Sequence, residues 1–128
     1  MIYLDASVAL AQLFGEGRSP PDGIWDGLLI SSSLLEYEVW NRIHARGLGA
    51  ELGGSASALI DRLTLLELTP HVLARALRPF PLPVRTLDAL HLASVEFVRT
   101  RDQSVALATY DDRLAAAARA LGIPLATV

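Results

Sequence analysis

The chain has 128 residues and is 52% hydrophobic, so it is long enough for one domain with a sizeable core. Its net charge of −3 at pH 7 excludes a basic tail that would bind nucleic acid nonspecifically. It contains no cysteine, which excludes disulfides, thiolate metal sites and thiol catalysis.

Strand and helix signals alternate through the first half of the chain. MIYLD at 1–5 predicts a short buried strand, and the apolar spacing after it predicts a helix that stops at the turn-rich GEGRSPPDG. LLI at 28–30 predicts a second strand, the serines after it are typical of a helix start, and Gly47 is typical of that helix's end. A further helix over about 51–63 and a third strand over 65–69 follow.

The same alternation continues to the end of the chain. PHVLARAL at 70–77 predicts a short helix that has proline in its first turn, and a long helix is predicted over about 86–101. SVALAT at 104–109 predicts a fourth strand, YDDRLAAAARALG a helix closed by its glycine, and IPLATV a last short strand. Strands that alternate with helices predict an α/β fold, a three-layer α/β/α domain with a central parallel sheet over residues 1–128.

Acidic residues follow two of the predicted strands, at the sheet edge where ligands of open parallel sheets bind. Asp5 ends the first strand, and Asp111 lies two residues after Thr109, where the fourth strand stops. TLD and TYD repeat Thr-x-Asp at a helix start. With threonine as the N-cap, Asp88 and Asp111 would lie in first turns, where the helix dipole favours an anion. Such acids are common for structural reasons alone, and Asp112, three residues after Thr109, fits that interpretation best.

Two glutamates in SSSLLEYEVWNR must be separated. Glu36 and Glu38 are two residues apart, so on a helix they point roughly 200° apart and cannot both face one cleft. The local pattern does not choose between them. Either can be a solvated helix charge, and Glu38 can pair with Arg42 four residues later.

Four stretches in chain order, MIYLDASVAL, LISSSLLEYEVWNR, VRTLDALHLASV and LATYDDRLAAAARALGI, together resemble a PIN domain of the VapC-type ribonuclease toxins found in toxin–antitoxin pairs. RTLDALHLA and TYDDRL are the more specific motifs. The resemblance prefers Glu38 to Glu36 because of its distance from the SSSLLEY lead-in. It implies catalytic and metal-binding acids at Asp5, Glu38, Asp88 and Asp111, with Ser7 as a supporting hydroxyl residue near the first acid. Thr109 is a further candidate supporting residue.

Chemistry supports a metal at such a cluster. Converging carboxylates repel one another, and their pKa values rise unless cations neutralise them. Mg²⁺ and Mn²⁺ prefer oxygen ligands and can activate water for attack on a phosphate. We expect Asp5 and Asp88 to be primary metal ligands and Asp111 to be a further ligand, direct or through water. Glu38 is expected to bind a second ion or to orient the water.

One histidine lies near these acids. His91, three residues after Asp88, could orient that acid, although a core or surface histidine is the favoured interpretation.

Arginine is the only cation in the chain, and four arginines lie nearest in sequence to the acids. They are candidates for RNA phosphate contacts, although each can equally be a solvated surface residue. RNA as the substrate is implied by the resemblance alone. The candidates are Arg42, Arg46, Arg85 and Arg113.

Partners are also implied by the resemblance, which predicts a homodimer and an antitoxin protein that covers the acidic cleft. Several large apolar residues are expected to fill the core, and any patch left over would mark an interface. No apolar run long enough to span a membrane and no secretory leader pattern is present, which predicts a cytoplasmic protein without a membrane partner. The large apolar residues that are expected to fill the core or to mark an interface are Trp25, Tyr37, Trp40, Leu48 and Leu52.

Other protein classes fit less well. Receiver domains use a lysine, and the chain has none. Haloacid-dehalogenase-like phosphatases use Asp-x-Asp after the first strand, whereas this chain has Asp5-Ala6-Ser7. A noncatalytic PIN-like module that binds protein or RNA stays open as an alternative.

Overall fold

The chain alternates strands and helices in the computed structural model, which describes residues 1–15, 17–102 and 104–128. The strands are β1 (Ile2–Leu4), β2 (Leu29–Ser32), β3 (Thr64–Leu66) and β4 (Ala106–Ala108). The helices are α1 (Ala6–Phe14), α2 (Leu34–Ala45), α3 (Gly49–Asp61), α4 (Pro70–Ala76), α5 (Thr86–Arg99) and α6 (Asp112–Ala120). A short 3-10 helix over Asp22–Asp26, which was not predicted, buries Ile24.

The four strands form one parallel sheet in the order β3-β2-β1-β4. β1 lies between β2 and β4 in this order. The chain therefore continues from β1 to one side of the sheet, through β2 and β3, and later adds β4 on the other side of β1. The helices that follow these strands therefore diverge beyond the carboxyl end of β1, where a crevice is expected. Asp5 is the first residue after this central strand.

Alternation along the strands directs side chains into two cores, one on each face of the sheet. Leu4 joins a cluster with residues of α1, α2 and α3, whereas Tyr3 joins a cluster with residues of α5 and α6. Ala108 and Leu107 of β4 divide in the same way. The predicted three-layer α/β/α arrangement with a parallel sheet is confirmed.

Four predicted strands are shorter than expected: the first, predicted over 1–5, spans Ile2–Leu4, and the fourth, predicted over 104–109, spans Ala106–Ala108. The third strand, predicted over 65–69, ends at Leu66, because Thr69 already caps α4 by accepting a hydrogen bond from the Val72 amide. The last predicted strand contributes one parallel bridge, between Leu107 and Leu125.

Four of the five large apolar residues named from the sequence pack against the core, as expected. Trp25, Trp40, Leu48 and Leu52 pack against the cluster beneath α1, α2 and α3. Tyr37 instead is 72% exposed. Among the described residues, no helix has both the length and the hydropathy needed to cross a membrane.

Candidate functional site

Asp5 lies at the carboxyl end of the central strand and is only 6% exposed. Its Oδ2 accepts hydrogen bonds from the Ser7 hydroxyl at 2.6 Å and from the Thr109 hydroxyl at 2.8 Å. The Ser7 amide also donates to this oxygen, so Asp5 is the N-cap of α1. Among the described residues, every hydrogen bond to this carboxylate uses Oδ2, which leaves Oδ1 able to bind a cation.

Ser7 and Thr109 connect the ends of β1 and β4. The Ser7 hydroxyl accepts from the Tyr110 amide at 2.9 Å, and the Thr109 hydroxyl accepts from the Asp111 amide at 3.0 Å. Both hydroxyls therefore direct their protons to Asp5 while they hold the loop after β4. The geometry suits the supporting role predicted for these two residues.

The predicted N-cap role of the threonines is wrong. The N-cap of α6 is Asp111, whose Oδ1 accepts from the Arg113 and Leu114 amides, and Thr109 lies before it. Asp112 is the first residue of α6, not the third residue after a threonine cap, so its predicted spacing from the cap is also wrong. Thr86 is the first residue of α5, after Arg85 as N-cap, and Asp88 still lies in the first turn. Thr109 lies two residues before the N-cap, and its hydroxyl donates to Asp5 and accepts from the Asp111 amide.

Glu38 turns toward the sheet edge, whereas Glu36 on the same helix is exposed. The Oε1 atom of Glu38 lies 2.6 Å from Nε2 of His91, and the Glu38 side chain is 23% exposed. The two glutamates thus point in different directions, as helix spacing predicts.

His91 is a buried histidine, which is the interpretation favoured from the sequence. It does not form a hydrogen bond with Asp88, and its partners are Tyr3 and Glu38. Its ring is 1% exposed, and Nδ1 lies 2.8 Å from the hydroxyl of Tyr3 in β1. Burial lowers the pKa of His91, but the hydrogen bond and charge of Glu38, with the charges of Asp5 and Asp88, outweigh burial and raise it. Burial also raises the pKa of Tyr3 above its usual range, so this hydroxyl stays protonated.

Asp88 and Asp111 stand at the helix starts around this cluster. The pKa of Asp88 is raised, mainly by burial and then by the negative charges of Asp111 and Asp5. Asp88 therefore lies near enough to both Asp111 and Asp5 to interact with them electrostatically. Asp111 is exposed and uses one oxygen to cap α6, which leaves the other for a ligand.

Among the described residues, one group of three potential metal ligands comes together, Asp5, Glu38 and His91, whose ligand atoms lie within 4.8 Å of one another. Asp88 and Asp111 lie outside this group. Two carboxylates that converge in a part-buried cleft, with a third whose pKa is raised by its neighbours, match the donor chemistry of Mg²⁺ or Mn²⁺. The residues present fit a divalent cation.

All four candidate arginines are exposed. Arg85 immediately precedes the helix that carries Asp88, and Arg113 follows Asp111 by two residues. Arg42 lies one turn after Glu38 in α2, Arg46 is the C-cap of that helix, and the guanidinium of Arg46 lies 4.5 Å from the centroid of the Phe14 ring. Their contact with RNA stays a prediction.

Tyr3 was not recognised from the sequence as part of this region, and His91 was linked to the wrong acid. Two signals were available. Tyr3 precedes Asp5 by two residues, which on a strand means the same face, and His91 follows Asp88 by three, which on a helix means the same side. Neither signal reveals that Glu38 from a third element completes the contact.

Residues 2–124 match the family described as PIN domain. The chain is 36% identical over 127 residues to Ribonuclease VapC46 of Mycobacterium tuberculosis, an alignment that covers 95% of this chain and 93% of the relative. It is 30% identical over 133 residues to Ribonuclease VapC47 of the same species, covering 99% and 96%. It is also 33% identical over 129 residues to Ribonuclease VapC35, covering 96% and 93%. The acid-lined edge of the parallel sheet, the family match and these near full-length relatives agree, and the chain belongs to the PIN domain family as a VapC-type member.

Proposed function

We propose that the chain is a divalent-metal-dependent endoribonuclease, a VapC-like toxin that hydrolyses RNA phosphodiester bonds and is neutralised by a cognate antitoxin. The observation that carries this proposal is the approach of carboxylate oxygens from Asp5 and Glu38 to within 4.8 Å in a family whose compared relatives are named ribonucleases. RNA as the substrate rests on those names and on the motif resemblance.

Asp5 is the proposed central metal ligand. Ser7 and Thr109 donate to one of its oxygens and so orient the other toward the cleft. Glu38 and Asp88 would complete the site from α2 and α5, and Asp111 would contribute through its free oxygen, directly or through water. When bound, Mg²⁺ or Mn²⁺ would activate water for attack on phosphorus and neutralise charge that develops on the phosphate. The exposed Arg85 and Arg113 flank these acids and would bind neighbouring phosphates of the RNA.

A homodimer is part of the proposal and is supported by an apolar groove of about 760 Å³ between α4 and the start of α5. Leu73, Leu77 and Leu82 line it, and they are 42%, 88% and 40% exposed. Exposed apolar patches of this kind mark protein interfaces in small domains. A second copy of the chain is the proposed occupant, because a symmetric dimer pairs the same patch of both subunits and so would cover both apolar grooves at once. The antitoxin would instead cover the acidic cleft.

The test is cleavage of a mixed-sequence RNA by purified protein with Mg²⁺, with Mn²⁺ and with EDTA, followed by sequencing of the product ends. We expect cleavage only with metal. Glu38→Gln should lower its rate about a hundredfold or more, since even residues that only support metal ligands are worth roughly 10–100-fold. Glu36→Gln is the matched control and should cleave at the wild-type rate.

Two results would contradict the proposal. One is cleavage that persists in EDTA with an unchanged rate for Glu38→Gln, which points to a contaminating or metal-free activity. The other is RNA binding without cleavage under every metal condition, which favours the noncatalytic binding module instead.

A further inference from the structure

Tyr3, His91 and Glu38 form a continuous hydrogen-bonded chain that joins β1, α5 and α2. The Tyr3 hydroxyl lies 2.8 Å from Nδ1 of His91, and Nε2 of His91 lies 2.6 Å from Oε1 of Glu38. The Tyr3 and His91 rings meet edge-on, with an interplanar angle of 80°. Tyr3 is 0% exposed and His91 is 1% exposed, so this chain ends at the cleft but its first two members lie beneath it.

The chemistry of Glu38 determines where the protons lie. An ionised carboxylate only accepts hydrogen bonds, so Nε2 of His91 must carry a proton and donate it to Glu38. In the neutral ring, Nδ1 then accepts from the Tyr3 hydroxyl. In the charged ring, Nδ1 donates to the oxygen of Tyr3. In both cases Nε2 has no lone pair free for a metal.

This proton placement decides between two roles for His91. Its Nε2 is within 4.8 Å of oxygens of Asp5 and Glu38, which by distance alone would make it a metal ligand. A histidine binds metal through an unprotonated nitrogen, and both ring nitrogens here are used by protein partners. The geometry therefore favours support of Glu38 over ligation.

The Glu38 side chain would be mobile without a partner that fixes its conformation. A glutamate has several rotatable bonds, and confining it in one arrangement costs side-chain entropy. The bond to His91 holds Oε1, and this leaves Oε2 as the oxygen available in the cleft. His91 is in turn held by Tyr3 from the central strand, where the backbone is fixed by pairing with strands on both sides.

We propose that Tyr3 and His91 are positioning residues that hold the Glu38 carboxylate in the cleft, and that His91 is not a metal ligand. Neither residue would touch the RNA or the reacting atoms. This inference rests on the proposed function in one respect, namely that Glu38 serves a metal-dependent reaction.

Two substitutions of His91 distinguish the effect of its Nε2 hydrogen-bond donor from the effect of its side-chain volume. In His91→Gln the side-chain amide can replace the Nε2 donor, whereas His91→Asn has a shorter amide that cannot reach Glu38. We expect His91→Asn to weaken Mn²⁺ binding and to lower kcat by about 10–100-fold with little change in KM for RNA. His91→Gln should recover most of both, and Tyr3→Phe should show a smaller loss in the same direction. Val95→Ala, a buried position one turn further along α5, is the control for lost packing and should leave Mn²⁺ affinity unchanged.

The role of His91 can also be read without any activity. In protein labelled with ¹⁵N-histidine, long-range ¹H–¹⁵N NMR spectra identify which ring nitrogen is protonated. We expect a protonated Nε2 in the metal-free protein, and the same proton after saturation with Mg²⁺. Loss of that proton on adding Mg²⁺ would overturn the inference, and so would equal defects in His91→Gln, His91→Asn and Val95→Ala. If the wild-type protein cleaves no RNA, the proposed function fails, while the NMR and metal-binding measurements still decide the role of His91.

Discussion

Asp88 is an acidic residue whose surroundings disfavour the charged form. It lies in the first turn of α5, where the helix dipole favours an anion, yet burial and the charges of Asp111 and Asp5 raise its pKa. A carboxyl whose pKa is raised by folding favours its neutral form in the folded state. It therefore contributes stability that is fully present below the unfolded pKa of about 3.9 and is lost as pH rises through the folded pKa.

Asp88→Asn tests this balance, since asparagine cannot ionise. In EDTA, we expect the Tm of this variant to match or exceed that of the wild type, with a difference that grows as pH rises from the acid range toward 7. Loss of the dipole interaction, roughly 0.3–1 kcal/mol, partly offsets the gain. Mg²⁺ should raise the Tm of the wild type more than that of Asp88→Asn, because a ligand that binds only the folded protein stabilises it. Thermal denaturation over a pH series, with and without Mg²⁺, makes the measurement.

The control is Asp112→Asn, in the first turn of α6 but outside the proposed machinery. It should lose roughly 0.3–1 kcal/mol of dipole interaction and retain the response to Mg²⁺. An Asp88→Asn protein that is less stable than the wild type at every pH, or that cleaves RNA at the wild-type rate, would remove Asp88 from the proposed site.

At the scale of the elements, α2, the helix that carries Glu38, is terminated by a glycine in a left-handed conformation. Gly47 adopts φ 66° after Arg46, its amide donates to the His44 carbonyl, and the Leu48 amide donates to the Ile43 carbonyl. These two bonds satisfy carbonyls at the end of the helix and reverse the chain into α3. The glycine that the sequence predicts as the end of this helix is confirmed in that role.

Gly47→Ala should destabilise the protein by about 1–2 kcal/mol, the cost of a left-handed conformation for a residue with a Cβ atom. No atom lies within 4 Å of the added Cβ, so the loss reports backbone conformation and not a steric clash. Urea denaturation provides the measurement.

Gly54→Ala, inside α3 and also with open space around its Cβ, is the matched control. It should stabilise the protein by about 0.5–1 kcal/mol because alanine is the better helix former. Equal effects of both substitutions would contradict the explanation from φ.

For the whole molecule, the most exposed large apolar side chain is Leu77, at the end of α4. The groove beside it extends to Arg85 and Thr86, at the start of the helix that carries Asp88. Dimer formation through this surface would therefore bring a second subunit close to the proposed active site.

Leu77→Asp should convert the proposed dimer into a folded monomer, because the side chain is 88% exposed and contributes little to the core of one subunit. Light scattering coupled to gel filtration measures the mass, and circular dichroism checks the fold. Leu28→Asp, at another position that is 57% exposed, should leave the dimer intact. A wild-type monomer, or a Leu77→Asp protein that still dimerises, would contradict the role of this groove.

Local sequence patterns were sufficient for most of the architecture. Apolar runs, glycine at helix ends and the alternation of elements depend on neighbouring residues, and they predicted the parallel sheet and its helices. The ends of elements were less accurate, because more than one residue near a helix start can cap it, and Asp111 instead of Thr109 caps α6. The Thr109 hydroxyl, a plausible helix cap by its position, instead donates to Asp5, 104 residues earlier in the chain.

By itself, the sequence determined the α/β/α fold through the alternation of strand and helix patterns, and it indicated the PIN family through the resemblance of four motifs in chain order. It also separated Glu36 from Glu38, because that depends only on spacing along one helix. Only the tertiary structure decided that His91 contacts Glu38 and Tyr3, since these residues lie on α5, α2 and β1 and are 53 and 88 positions from His91 in the chain. The same holds for the raised pKa of Asp88. Burial and charge proximity arise only when the strands and helices pack, and no local pattern encodes them.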